Sequence, residues 1–297
     1  MSDSSGLRSF ASWLRIVELV VTVVTLAMAF VVLFTSDDAR IVVLSIGLGA
    51  VAAGLLVVYT IVAWRSELER AKVARARRWA DGMRGVADAA LTIAGLHRLG
   101  PSDGSRAALD RASQACTEFS KALSAMAGST VRVTVKEIYV TETASAELAV
   151  RTIVFPSGAV VARDAPEDLV AENTDFREIL AHRIDYFLSN NLLQELKRGY
   201  RNSHWTRERL QTWARTGDYP YRSTLVWPVR GARIDQGQRS PEWETVGFLC
   251  ADTPSRHAFD RQYDVSVGEI IARALYGAWP LIAGPMNGGA HVPALVG

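Results

Sequence analysis

Five histidines (His97, His182, His204, His257 and His291) and two cysteines (Cys116 and Cys250) are the residues with which this chain could ligate a metal or form a covalent intermediate. No histidine stands at ligand spacing from another histidine or from a cysteine, and there is no CxxC pair, so no metal site is expected. Cys116 falls on an apolar helical stripe and Cys250 inside a strand-like run, which makes both core positions rather than nucleophiles. A glycine-rich loop ending in lysine, HExxH and GxSxG are all absent. This removes the phosphate cradle of nucleoside triphosphatases, the helix-borne zinc hydrolase and the nucleophile elbow. His182 and Asp185 lie near Asp175, and a polar helix surface accounts for them better than a relay does. No catalytic residue is assigned on these grounds.

The elements that must position these groups begin with two apolar runs. Leu19 to Phe34 carries no charge, and Ile41 to Trp64 contains no Asp, Glu, Lys or Arg. A polar link, Thr35 to Arg40, joins them. The second run reaches the roughly 20 residues needed to cross hydrocarbon, and the first does so if Ser12 to Glu18 extend it. The expectation is a transmembrane helical hairpin, with the lipid bilayer as its partner. Basic residues crowd the segment after it: Arg65, Arg70, Lys72, Arg75, Arg77, Arg78 and Arg84. That bias puts both termini in the cytoplasm of a bacterial-type cell membrane. The net charge of +2 does not point to nucleic acid.

Beyond the runs, Trp79, Met83, Val86, Ala90 and Ile93 form one apolar stripe at helical spacing. The stripe either packs on its own domain or forms a homodimer through Trp79, Met83, Val86 and Ile93. A break follows at Gly100 to Gly104. A second helix is expected from Ser105 to Met126, with Leu109, Ala112, Cys116, Phe119 and Leu123 on its apolar side.

The period then changes to two. Val131 to Ile138 and Leu148 to Phe155 read as an antiparallel pair. Asp175, with Glu178 three residues on, reads as a capping box opening a helix. Tyr186 to Leu188 reads as a short strand. Leu192 to Trp213 is mixed. Ser223 to Val229 and Thr245 to Ala251 are the most strand-like segments, joined by a loop from Arg230 to Glu244. Pro228 lacks an N–H and marks an edge or a bulge. Ser266 and Glu269 read as a second capping box, opening the last helix.

The run S-T-L-V-W-P-V-R, a loop, V-G-F-L-C-A-D and a closing helix resembles the GAF domain family, on Pro228, Val229, Gly247, Phe248 and Leu249. The resemblance covers roughly residues 105–278. It implies a regulatory fold, often dimeric, with a central antiparallel sheet and a ligand between the sheet and its covering segments. Those covers are Glu172 to Asn191 and the insertion before Tyr221. The candidate ligand-binding residues on them are Asp175, Arg177, Tyr186, Asn190, Asn191, Tyr221 and Arg222. The paired loop cysteines of the related sulfoxide reductases and a bilin-attachment cysteine are missing. A haem-binding relative would use an axial histidine, for which His182 or His204 could serve. No cofactor is assigned.

The fold class read from the sequence is therefore α+β: a GAF-like sheet flanked by helices, preceded by the hairpin and a helical linker. The divisions are a tail at 1–12, the hairpin at 13–64, a linker at 65–104, the GAF-like domain at 105–280 and a flexible tail at 281–297. The function read from it is a membrane-anchored cytoplasmic sensor that binds a small molecule or a partner. One alternative is a membrane-disrupting effector driven by ligand or assembly. The other is an enzyme with an unrecognised site.

Overall fold

A computed structural model describes residues 39–99, 104–141, 146–156, 168–233 and 242–283, together with residues 25, 30 and 31. The first apolar run, apart from those three residues, the N-terminal tail and residues 284–297 lie outside the described residues, as does most of the link between the runs. The chain forms two compact units, Met1–Ala74 and Arg75–Gly297.

Helix α1, Ala39–Ala94, takes up the second apolar run. Ile41 to Trp64 is not a separate spanning helix. It is the first part of α1, which continues unbroken through Arg65, Arg70, Lys72 and Arg84. Among the described residues, no helix is long and apolar enough to cross a membrane. The expected transmembrane hairpin, the bilayer as partner, the membrane location and the membrane-disrupting alternative are corrected on this finding. In the unit ending at Ala74, Val57, Val58, Ile61 and Trp64 are exposed.

The second unit is built on a six-stranded antiparallel sheet. Its strands are β1 (Arg132–Val140), β2 (Leu148–Val154), β3 (Asp168–Leu169), β4 (Phe187–Ser189), β5 (Ser223–Arg233) and β6 (Glu242–Thr253), in the order β3-β2-β1-β6-β5-β4. The helices are α2 (Gly104–Ala127), α3 (Thr174–Leu180), α4 (Leu192–Lys197), α5 (Arg207–Thr216) and α6 (Tyr263–Ile282). Strand alternation sends Val133, Val135, Leu225, Trp227, Val229, Leu249 and Ala251 to one face. There they pack against α2, α6 and the end of α1. The other face carries Ile138, Val226, Phe248 and Cys250 under α3. A third, smaller core of Leu192, Tyr200 and Trp205 belongs to the insertion.

Two close approaches need glycine. A Cβ on Gly268 of α6 would stand 2.0 Å from the Trp227 ring, and one on Gly247 of β6 would stand 2.3 Å from the Lys136 carbonyl oxygen. Trp227, 1% exposed, also donates its indole N–H to the Val265 carbonyl at 2.8 Å.

The apolar stripe of α1 is not a dimer surface. Val86 and Ile93 are buried in the chain's own core, Met83 packs on it, and the Trp79 ring meets Tyr263 at 5.4 Å. Both expected capping boxes are also corrected. Asn173 holds the N-cap position of α3, and Asp175 instead turns inward. Asp260 Oδ1 accepts from the backbone N–H of Gln262 and Tyr263, so α6 starts before Ser266. Asp260 also pairs with Arg75 of α1. Burial pushes the Cys116 thiol up to about 12 and holds the Cys250 thiol well above its ordinary range, which makes both poor nucleophiles.

Candidate functional site

The face under α3, where the covering segments were expected to enclose a ligand, holds a cluster of the protein's own polar groups. In β1, the alternation that turns Val133 and Val135 to the helical layer turns Lys136 to this face. Asp168 of β3 meets it, Nζ to Oδ2, at 2.5 Å. His204 Nε2 lies 2.6 Å from the other oxygen of the same carboxylate, and Ser203 Oγ donates to it at 2.9 Å. Asn173 completes the tie. Its Nδ2 donates to the Leu169 carbonyl at 2.8 Å, and its Oδ1 accepts from Ser203 N–H at 3.2 Å. One carboxylate thus fastens the insertion to both β1 and the sheet edge. Burial alone would raise the Asp168 pKa, but the hydrogen bond with His204 and the charge of Lys136 outweigh it. They hold the carboxyl well below the usual carboxylate range.

For Asp175 the balance goes the other way, although the charge of Lys136 also acts to lower its pKa. Burial pushes its carboxyl up to about 6, against hydrogen bonds from Phe176 N–H at 2.9 Å and from the Tyr200 hydroxyl at 3.1 Å. Asp264, at the start of α6, is also pushed up to about 6 by burial. A carboxyl whose folded pKa exceeds its unfolded value favours folding when protonated. That contribution is complete below about pH 4, declines between pH 4 and 6 and is gone above 6. Stability carried by these two groups therefore falls as pH rises from 4 to 6. Asp175→Asn, which keeps an acceptor for Phe176 N–H, is expected to remove a part of that fall worth on the order of 2–3 kcal/mol. Urea unfolding across that pH range measures it.

The remaining sequence-derived candidates do not converge. Arg177 pairs with Glu178 on the half-exposed side of α3. Asn190 is a structural brace: its Nδ2 donates to the Phe259 carbonyl at 2.7 Å and its Oδ1 accepts from Phe259 N–H at 2.9 Å. Asn191 precedes α4, and its buried Oδ1 has no hydrogen-bond partner among the described residues. Tyr221 accepts from the Trp205 indole at 2.9 Å, inside the insertion's aromatic core. Arg222 lies over the Tyr219 ring and donates to the Gly217 carbonyl at 3.0 Å. Tyr186 lines a cavity.

That cavity, about 700 Å³, is a cleft beside β5 and α6. Strand β4 pairs with β5 only at Thr224, Leu225 and Val226, so β5 runs on past it. Past Val226, Trp227, Pro228 and Arg230 enter the cleft wall, and Trp243 faces them from β6. The turn between α3 and β4 brings His182, Asp185 and Tyr186, while α6 brings Val265, Glu269 and Arg273. His182 occupies the left-handed region, φ 52°, as the chain reverses out of α3. The charges come in pairs, Arg230 with Asp185 at 3.0 Å and Arg273 with Glu269 at 2.6 Å. Tyr186 accepts from Arg261 Nε at 3.2 Å.

Sequence reasoning missed most of these residues. Lys136 lies inside the run Val131 to Ile138 with nothing to single it out, and Asp168 lies in none of the elements read from the sequence. Arg230 and Trp243 fell in what read as a loop, because the β5 and β6 ladder continues to the Arg233–Glu242 pair. His204 Nε2 is occupied by Asp168, so it does not offer that nitrogen to a haem iron. Among the described residues no group of three or more His, Cys, Asp or Glu side chains could hold a metal ion.

The class defined by this architecture is an α+β domain on a six-stranded antiparallel sheet, with helices on both faces and a cleft at one edge. No protein-family profile and no curated protein matches the chain. Solved structures of low identity resemble it. The GAF domain of an Acinetobacter phosphoenolpyruvate-protein phosphotransferase aligns at 10% identity and TM-score 0.39, over 66% of this chain and 92% of that one. The chromophore-binding domain of an unusual R. palustris bacteriophytochrome aligns at 11% and 0.38, over 69% and 63%. The free methionine-R-sulfoxide reductase of Neisseria meningitidis aligns at 14% and 0.31, over 60% and 90%. The likeness is to GAF folds, and at these scores it carries no argument about ligand, activity or partner.

Proposed function

We propose that residues 105–280 form a regulatory binding domain, and that its small-molecule occupant sits in the edge cleft rather than under α3. One observation carries this reading. The cleft is a concave space of about 700 Å³ in which an aromatic floor and several charged side chains converge. That size and mixture are typical of small-molecule sites. The face under α3 is already occupied by the protein's own groups, with Phe176 packed on Phe248 at 4.6 Å and Lys136 neutralised by Asp168.

Trp243 is the most accessible of the cleft's aromatics and reports on occupancy. It is 54% exposed, with the Arg230 guanidinium 5.9 Å from its ring. Trp243→Ala is expected to weaken any cleft ligand about tenfold, the loss of one stacking contact of roughly 1–1.5 kcal/mol. The unfolding midpoint should stay within about 2 °C, because an exposed side chain contributes little to stability. Thermal-shift measurement of a metabolite collection against the full chain and this variant tests it. Ligands that stabilise both proteins equally contradict the placement.

A further inference from the structure

The cleft presents two cations and two anions, and they are not equivalent. Arg273 and Glu269 are one helical turn apart on α6, with 66% and 51% of their side chains exposed. Such a pair is a solvated surface contact. Arg230 is different. Its side chain is only 25% exposed, and its counter-ion, Asp185, is 84% exposed on the turn before β4. Among the described residues its guanidinium makes one hydrogen bond, Nη2 to Asp185 Oδ1 at 3.0 Å. A guanidinium has five N–H donors in a planar fork that fits a carboxylate in two-point fashion. Much of its capacity is therefore unspent among these residues, and the group now holding it is exposed enough to exchange with an incoming anion at small cost. Apart from the His182 imidazole, the rest of the wall is apolar: Trp227, Pro228, Val265, the Tyr186 ring and the half-exposed Trp243.

Resting on the cleft as the binding site, we propose that its occupant is a small carboxylic acid with a flat apolar body, whose carboxylate replaces that of Asp185 on Arg230. The body lies against Trp243 and Pro228. The cavity volume suits one such molecule. Asp185 acts as a resident competitor: it keeps Arg230 paired when the cleft is empty and gives it up when the cleft fills.

This exchange has a signature that a merely structural ion pair lacks. Removing the competitor should tighten binding, whereas removing Asp185 from a supporting contact should loosen it. The experiment uses the full chain and a panel of arylacetic acids, with 4-hydroxyphenylacetate as the lead probe and the matching amides as controls. Calorimetry and tryptophan fluorescence give the affinities. Circular dichroism and thermal melts confirm that each variant is folded. The expected results are acids bound about tenfold or more tightly than their amides, about tenfold loss in Arg230→Met, and a three- to tenfold gain in Asp185→Asn. An acetylated pentapeptide ending in phenylalanine separates a chain terminus from a free acid and should bind more weakly than the free acid. Tighter binding of the peptide overturns the small-molecule assignment. Acids and amides that bind equally, with Trp243→Ala weakening both, overturn the carboxylate inference and leave the cleft reading standing. A panel that does not bind at all overturns both. An Asp185→Asn variant that binds more weakly than the native protein overturns the exchange.

Discussion

Asp168→Ala is expected to cost the folded chain about 3–5 kcal/mol, the range found when one partner of a buried ion pair is removed. The reason is what it leaves behind. Lys136 is most of the way out of water, 18% exposed at its side chain, and Asp168 is the counter-ion that makes its ammonium tolerable there. Without it, a cation remains on the sheet face, and Ser203 and His204 lose the acceptor that anchors the insertion. The pair also has a pH sign. The Asp168 carboxyl is held below its ordinary range, so its contribution is complete above about pH 4 and is lost as pH falls through the folded value. This is opposite in sign to the contribution of Asp175, so the two variants should tilt the pH profile in opposite directions. Lys136→Met combined with Asp168→Leu should recover most of the loss, since an apolar pair of similar volume has no ion to desolvate. Urea unfolding at pH 7 measures both variants against the native chain. A single-variant loss below about 1 kcal/mol contradicts the assignment of Asp168 as the organising charge of that face.

The second large effect belongs to the contact of Trp227 with Gly268. Trp227→Ala should cost about 3–5 kcal/mol, the usual range for emptying a buried aromatic site. Gly268→Ala should cost about 3 kcal/mol, at the upper end of overpacking losses, because its added methyl would overlap a ring with nowhere to move. Trp227 is fully enclosed between β5 and α6 and touches Phe119 at 6.2 Å between ring centroids. The two losses share one cause and should not add. Gly268→Ala made in a Trp227→Leu background should cost at least about 1 kcal/mol less than in the native chain. Equal costs in the two backgrounds contradict the contact.

Much of the sheet was legible because burial imposes a period. Val133 and Val135, Leu225 to Val229 and Val246 to Ala251 alternate or cluster as one would expect of strands packed on helices, and they lie in β1, β5 and β6. Helix α2 was legible for the same reason, through Ala112, Cys116, Phe119 and Leu123. The resemblance carried by Pro228 and Gly247 pointed to an antiparallel sheet flanked by helices, and such a sheet is found. It also implied a ligand under α3, where the Lys136–Asp168–His204 contacts take up the space. Those contacts join residues that are far apart in sequence, and no periodicity announces them. Asp175 illustrates the limit: its spacing to Glu178 fits a capping box, yet tertiary burial turns its carboxylate toward Tyr200. The cleft was hidden differently. Its walls come from a turn, a strand extension and the outer side of α6, each unremarkable alone. The long apolar run from Ile41 misled for a simpler reason. Hydropathy says how apolar a segment is, but not where its helix stops, and α1 continues into a highly charged stretch.

The most direct test of the central claim is amide hydrogen exchange of the full chain, read by mass spectrometry with and without saturating 4-hydroxyphenylacetate. Binding in the edge cleft predicts slowed exchange in residues 182–187, 227–231 and 242–245 and in the first half of α6, with little change around Asn173, Tyr200 and His204. Slowing confined to residues 173–180 and 200–205, with residues 182–187, 227–231 and 242–245 unchanged, would place the occupant under α3 and contradict the account.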